Sequence, residues 1–205
     1  MVTVTECTTL GKGRLRFHLD NGTELVLYRG DAKQFRMREG STLSDEEEHQ
    51  LIYEVVGKRA KRRTMHLLEQ MDRTEQQLRE KLKQGGYPQA CIDLALEYVK
   101  SFHYVDDYRY ACTYINYRQD RMSRYQLKVK LYGKGVPGEV IDRALEECYE
   151  GDEQEQIIRL LEKKNFDAQN SDPKEFTRVY QYLMRRGFRS NDVLRAMKSK
   201  ADLKK

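Results

Sequence analysis

Positive charge is the chemistry this sequence concentrates. Lys58-Arg59-Ala60-Lys61-Arg62-Arg63 places five cations in six positions. Arg118, Arg121, Arg124, Lys128, Lys130 and Lys134 form a second group, with Asp120 as the one acid among them. Arg185, Arg186, Arg189, Arg195, Lys198 and Lys200 form a third. Such groups hold phosphates or acidic protein surfaces, because several ammonium and guanidinium donors act on one polyanion together. Basic residues near helix C-termini also offset the helix dipole and keep a surface hydrated. The charge in these loops exceeds what capping needs, which favours a binding stripe.

Other reactive side chains lack partners at useful spacing. Asp106-Asp107 with His103 is the strongest hint of a metal site, but no third and fourth ligand follow, and Asp opening a helix is an ordinary cap. Tyr110, Tyr114 and Tyr117 recur at i, i+4 and i+7, a stripe that could stack bases. Tyr114 and Tyr117 align with Met65 and Leu68 of an earlier repeat, so packing between helices is the expected role. Gly11-Lys12-Gly13 and Gly133-Lys134-Gly135 lack the spacing of a phosphate loop. Neither H-E-x-x-H nor G-x-S-x-G occurs, and the four histidines are scattered. No catalytic residue, metal or cofactor is expected, and the chain is read as a non-enzyme. The acidic runs Asp45 to Glu48 and Glu146 to Glu155 flank helix starts, where they complement the dipole.

Cys7, Cys91, Cys112 and Cys148 form no CxxC pair. The opening Met1-Val2-Thr3-Val4-Thr5-Glu6 has neither the basic start nor the apolar run of a secretion signal, and no stretch reaches the ~20 apolar residues of a membrane span. Cytoplasmic reduced thiols are expected, with Cys91, Cys112 and Cys148 as small core fillers.

The elements that must present the cations repeat. Gly86, Gly135 and Gly187 lie 49 and 52 positions apart. Eight before each glycine stand Leu78, Leu127 and Val179; four before, Leu82, Leu131 and Leu183. Just after come Tyr87, Val136 and Phe188. At +6 stand Ile92, Ile141 and Val193; at +9, Ala95, Ala144 and Ala196; at +10, Leu96, Leu145 and Met197. The leucine pairs mark one helix, the glycine is its left-handed stop, and the later positions are the apolar stripe of the next helix. Thr74 to Gln77 and Ser123 to Gln126 fit the capping box, and Asp172-Pro173 pairs an N-cap with Pro at the first turn. A further helix precedes each pair, near 45–71, 107–119 and 153–164. Residues 165–171 form a longer loop in the third repeat.

The fold expected is mainly α: three tandem three-helix repeats over 44–100, 101–151 and 152–205, stacked as an elongated, curved array. A hydrophobic fraction of 39% against 35% charged is lean for one round core and suits stacked units. Residues 1–43 read as a small β-rich head, because Asp20-Asn21-Gly22 separates two alternating runs, 14–19 and 23–28.

Phe102-His103-Tyr104-Val105-Asp106-Asp107-Tyr108-Arg109-Tyr110-Ala111, followed by Tyr114-Ile115 and Arg118, resembles the RecX family signature of a double Asp opening a helix with Arg, an aromatic and Ala. Leu127 to Pro137, ending in Ile141-Asp142-Arg143-Ala144-Leu145, is similar to that family's second-repeat core. Arg73-Thr74-Glu75-Gln76-Gln77-Leu78 with Leu82 and Gly86-Tyr87 resembles its first, with Gln77 in place of the usual Glu. The likeness covers about residues 45–200 and leaves the head outside. It implies a negative regulator lying in the groove of the RecA–DNA filament and impeding filament growth, ATP hydrolysis and strand exchange. Asp106, Asp107, Arg109 and the three glycines are its structural signature. The expected partners are that filament and, weakly and salt-sensitively, DNA, bound by a monomer with no membrane contact.

A stand-alone helix-turn-helix regulator is the alternative, since Leu127 to Leu145 reads as helix, glycine turn, helix. The pattern occurs three times, however, and its following helix, Glu139 to Glu147, is acidic, a poor surface for a DNA groove.

Overall fold

The computed structural model describes residues 1–202, with the side chains of the last helix described as far as Lys198. Lys200, named among the cations above, therefore lies outside the described side chains. The chain divides into two compact units that meet at residues 106 and 107.

The first unit opens with a sheet. Strands β1 (Val2–Gly11), β2 (Arg14–Leu19), β3 (Glu24–Tyr28) and β4 (Thr42–Leu43) are all antiparallel in the order β3-β2-β1-β4. Alternation decides which face goes inward: Val2, Val4, Phe17, Leu19, Leu25 and Leu27 are buried, and the residues between them face out. The expected 14–19/23–28 hairpin is present, with Phe17 paired to Leu25. Of its turn residues only Gly22 takes positive φ, at 80°. Asn21 works through its side chain instead, whose Oδ1 accepts from Thr23 N at 3.0 Å. Strands β1 and β4, and helix α1 (Arg29–Gln34) between β3 and β4, lie outside the expected hairpin. Gly11-Lys12-Gly13, with φ of 79°, 51° and 72°, is the β1–β2 turn.

Ser44 then caps α2 (Asp45–His49), accepting from Glu47 N, and its own N–H is taken by the Glu47 carboxylate. The helical path continues through a π-helical stretch, Gln50–Gly57, into α3 (Lys58–Gln70). Next come α4 (Glu75–Gln84) and α5 (Gln89–Ser101). The head and these helices share one core: Phe17, Leu25 and Leu27 belong to the same cluster as Leu51, Leu78 and Ile92.

The second unit holds α6 (Asp107–Arg118), α7 (Arg124–Tyr132) and α8 (Gly138–Cys148), then α9 (Glu153–Lys163), α10 (Pro173–Arg185) and α11 (Ser190–Asp202). Each trio has its own core, one around Ile115, Leu127 and Ile141 and the other around Ile157, Leu183 and Val193.

The repeat register holds at atomic level. Gly86, Gly135 and Gly187 have φ of 77°, 81° and 78°. Every residue aligned at −8, −4, +6, +9 and +10 is buried, and at +1 only Tyr87 is partly exposed. Thr74, Ser123 and Asp172 each accept from the backbone N–H three residues on, as N-caps do. Only Thr74 closes the reciprocal box with its Gln77.

One expectation about cysteine is overturned. Packing of α6 against α8 brings the Cα atoms of Cys112 and Cys148 to 5.6 Å, within disulfide reach, and the two are bonded. Cys7 and Cys91 are free thiols. Cys91 is buried, as expected of a core filler; its Sγ donates to Ile52 O at 3.3 Å, and burial pushes the thiol up to about 12.

Candidate interaction surface

The first group of cations lies along α3, and the fold divides it. Arg59 is drawn inward: its guanidinium pairs with Asp31 and stands 4.7 Å from the centroid of the Tyr28 ring, tying α3 to the head. That residue is committed to structure and is withdrawn from the surface. Lys58 pairs with Glu54 one turn earlier, an exposed contact worth little. The Lys61 ammonium lies 5.1 Å from the centroid of Tyr98 on α5. Arg62 and Arg63 are exposed and make no ion pair among the described residues.

In the second group, Arg118 and Lys134 both approach the Tyr114 ring, at 5.8 and 5.3 Å. Lys128 pairs with Asp142 of α8. Arg121 and Lys130 are exposed without an ion pair among the described residues. In the third, Arg186 stands over Tyr182 at 4.7 Å, whereas Arg185, Arg189, Arg195 and Lys198 are exposed.

Within the second unit, the two groups meet at a seam. The Ser123 hydroxyl, already accepting from Gln126 N, donates to the Arg186 carbonyl at 2.5 Å. Arg124 N–H donates to Glu153 Oε1 at 2.7 Å, and Gln156 Nε2 to the Gln119 carbonyl at 2.5 Å. The start of α7 is thereby fastened to the end of α10 and the start of α9. Arg124 and Arg186 flank this joint.

The charged residues of the family signature gather at the start of α6. Asp107 lies in the first turn of α6, Asp106 precedes it, and Arg109 is exposed on that helix. Among the described residues no cluster of His, Cys, Asp and Glu could hold a metal ion. The tyrosine stripe splits. Tyr110 and Tyr114 are half-buried against the α6–α8 core, but Tyr117 is 83% exposed and does not pack as its alignment with Leu68 implied.

Two surface features stand outside the sequence-based expectations. The first is the outer face of α7, where Tyr125, Val129 and Tyr132 are 59%, 49% and 73% exposed while Leu127 and Leu131 on the other side are fully buried. A helix apolar on two faces has one more face than its own core uses, and that signal is present in Arg124 to Tyr132. The second is a run of exposed rings at the end of α5, Tyr98, Phe102 and Tyr104. Tyr98 and Phe102 are one helical turn apart, but the helix ends at Ser101 and Tyr104 lies beyond it, so only the folded chain gathers all three.

The repeats match known proteins over most of their length. Residues 60–98, 106–145 and 151–197 match the first, second and third three-helix domains of RecX. A regulatory protein RecX of Caldanaerobacter subterraneus subsp. tengcongensis is 30% identical over 171 residues, covering 82% of this chain and 85% of that protein. One from Trichlorobacter lovleyi is 36% identical over 138 residues, 65% of this chain and 89% of the relative. A crystal structure of a regulatory protein RecX superposes with a TM-score of 0.63 at 21% identity, over 94% of this chain and 97% of that one, a likeness of fold.

Proposed function

The chain belongs to the RecX family of regulatory proteins, and on that premise we propose that it restrains the RecA recombinase by docking in the groove of the RecA–DNA filament. Docked there, it impedes filament growth, ATP hydrolysis and strand exchange. It acts by binding and without chemistry of its own, as a cytoplasmic monomer.

The observation that carries this reading is the outer face of α7. Tyr125, Val129 and Tyr132 form an exposed apolar stripe, with Lys128 and Lys130 at its sides and Arg121 just ahead of the helix. Aromatic rings left bare beside cations are characteristic of protein-docking surfaces, since the rings supply buried area and the cations select an acidic counterpart. Arg185 and Arg189 carry like charge in the third repeat, and Arg62 and Arg63 in the first. The helix-turn-helix alternative is weakened by α8, where Glu139, Glu146 and Glu147 are all exposed and would face phosphates with like charge.

ATP hydrolysis by RecA on single-stranded DNA tests the proposal directly. The rate falls as this protein is added, at ratios well below one per RecA protomer if filament growth is the target. An unchanged rate in the presence of folded protein removes the reading.

A further inference from the structure

The end of α5 carries a second kind of surface. Tyr98 and Phe102 meet edge to face with ring centroids 5.1 Å apart, and Phe102 and Tyr104 lie 5.8 Å apart at an interplanar angle of 20°. All three are exposed, at 37%, 54% and 47%. Lys61 reaches over the Tyr98 ring, and Tyr98 together with Lys58, Lys61, Arg62 and Met65 borders an open groove of about 590 Å³. The acids beside it are Glu54, held by Lys58, and Glu69, which His66 approaches to 3.5 Å. Arg62, on the same stretch of α3, has no acid paired to it among the described residues.

Three touching rings that remain in water are not a core, and a burial argument gives no reason for Phe102 to be there. Exposed aromatic rings and a cationic groove, which Tyr98 borders, are the two components that single-stranded nucleic acid needs. Unpaired bases stack on the rings, and the phosphates beside them lie along the ammonium and guanidinium groups. A duplex, its bases already stacked, offers only the phosphates. We infer that Tyr98, Phe102 and Tyr104 with Lys61 and Arg62 form a binding site for single-stranded nucleic acid. It reads no sequence, because every base has a π face.

This inference deepens the reading above in one respect, the expected contact with DNA, and it is tested without RecA so that the two fail separately. The probes are a fluorescein-labelled 20-nucleotide oligo-dT and a duplex of equal length, followed by anisotropy at several salt concentrations. The single strand binds more tightly than the duplex. Phe102→Ala and Tyr98→Ala each weaken oligo-dT binding about fivefold or more, their double variant still more, and Phe102→Tyr restores it. Lys61→Gln and Arg62→Gln each flatten the dependence of log K on log salt by about 0.7, the increment for one phosphate on a single strand. Circular dichroism and a melting curve for each variant separate lost binding from lost folding. Equal binding of strand and duplex, or a folded Phe102→Ala that binds oligo-dT like the wild type, overturns the assignment. Absence of any oligonucleotide binding overturns it too and leaves the rings to a protein partner.

Discussion

Gly187 lies so close to Tyr125 that a methyl group added at its Cα would come within 2.1 Å of the ring. The third repeat's stop glycine is thus also the point where its helix end meets the second repeat. Gly86 stands in the same relation to Val26 of the head, whose Cγ2 would lie 2.3 Å from the added atom. The head therefore does for the first repeat what the second repeat does for the third: it fills the space against the glycine. That gives residues 1–43 a structural role that their own pattern does not declare.

Gly187→Ala combines a left-handed backbone with an overlap, and each costs on the order of 1–3 kcal/mol. Gly40 has φ of 76° but nothing within 4 Å of where a Cβ would sit, so Gly40→Ala loses only the backbone part, about 1–2 kcal/mol. Urea titrations of the two variants check the difference. Equal losses would mean that Tyr125 gives way without cost.

Ser123→Ala removes both a helix cap and the bond to the Arg186 carbonyl from a fully buried position. The expected loss is about 1–3 kcal/mol. Thr74 occupies the equivalent place in the first repeat, so Ser123→Thr should retain most of the stability. A Ser123→Ala protein that unfolds at the wild-type urea concentration would show the seam to be held elsewhere.

Charge reversal at Arg121, Arg124 and Lys128 weakens inhibition of RecA tenfold or more while helicity is kept. The fold tolerates it because the exposed Lys128–Asp142 pair contributes no more than about 1 kcal/mol. A triple variant that inhibits as the wild type does would remove α7 and its flank from the contact surface.

The cysteines divide by chemistry. Peptide mapping without reductant should recover Cys112 joined to Cys148. Its reduction, opening a link across 36 positions, costs at most about 3–4 kcal/mol. Finding both residues alkylated in the folded, unreduced protein would refute the link. Cys91 behaves differently. Its folded thiol titrates at about 12 against 9.0 for an open chain, so the unfolded state loses its proton first as pH rises. The contribution is present below pH 9 and declines as pH climbs from there towards 12. Cys91→Ala should flatten that alkaline limb of a stability–pH curve.

Much of the helical part is legible in the sequence because its signals are local and occur three times over. Leu78, Leu127 and Val179 each reveal a helix face, and the glycine after each fixes where it ends. The fate of individual cations is not legible. Whether Arg59 faces water or Asp31 depends on where two helices some thirty residues apart come together, and no local pattern encodes that. The Cys112–Cys148 link is hidden for the same reason: 36 positions of sequence separate two residues that α6 and α8 place side by side. Strand β1 is obscured because the alternation of Val2-Thr3-Val4-Thr5 lapses at Glu6 and does not resume through Thr8 and Thr9.

The common core of the sheet and the first three-helix repeat has a bearing on how the protein is made. The inner surfaces of Phe17, Leu25 and Leu27 are closed by residues such as Leu51, Leu78 and Ile92, which leave the ribosome later. The nascent sheet must wait, half covered, until α5 has emerged, so strands made before these helices settle only together with them.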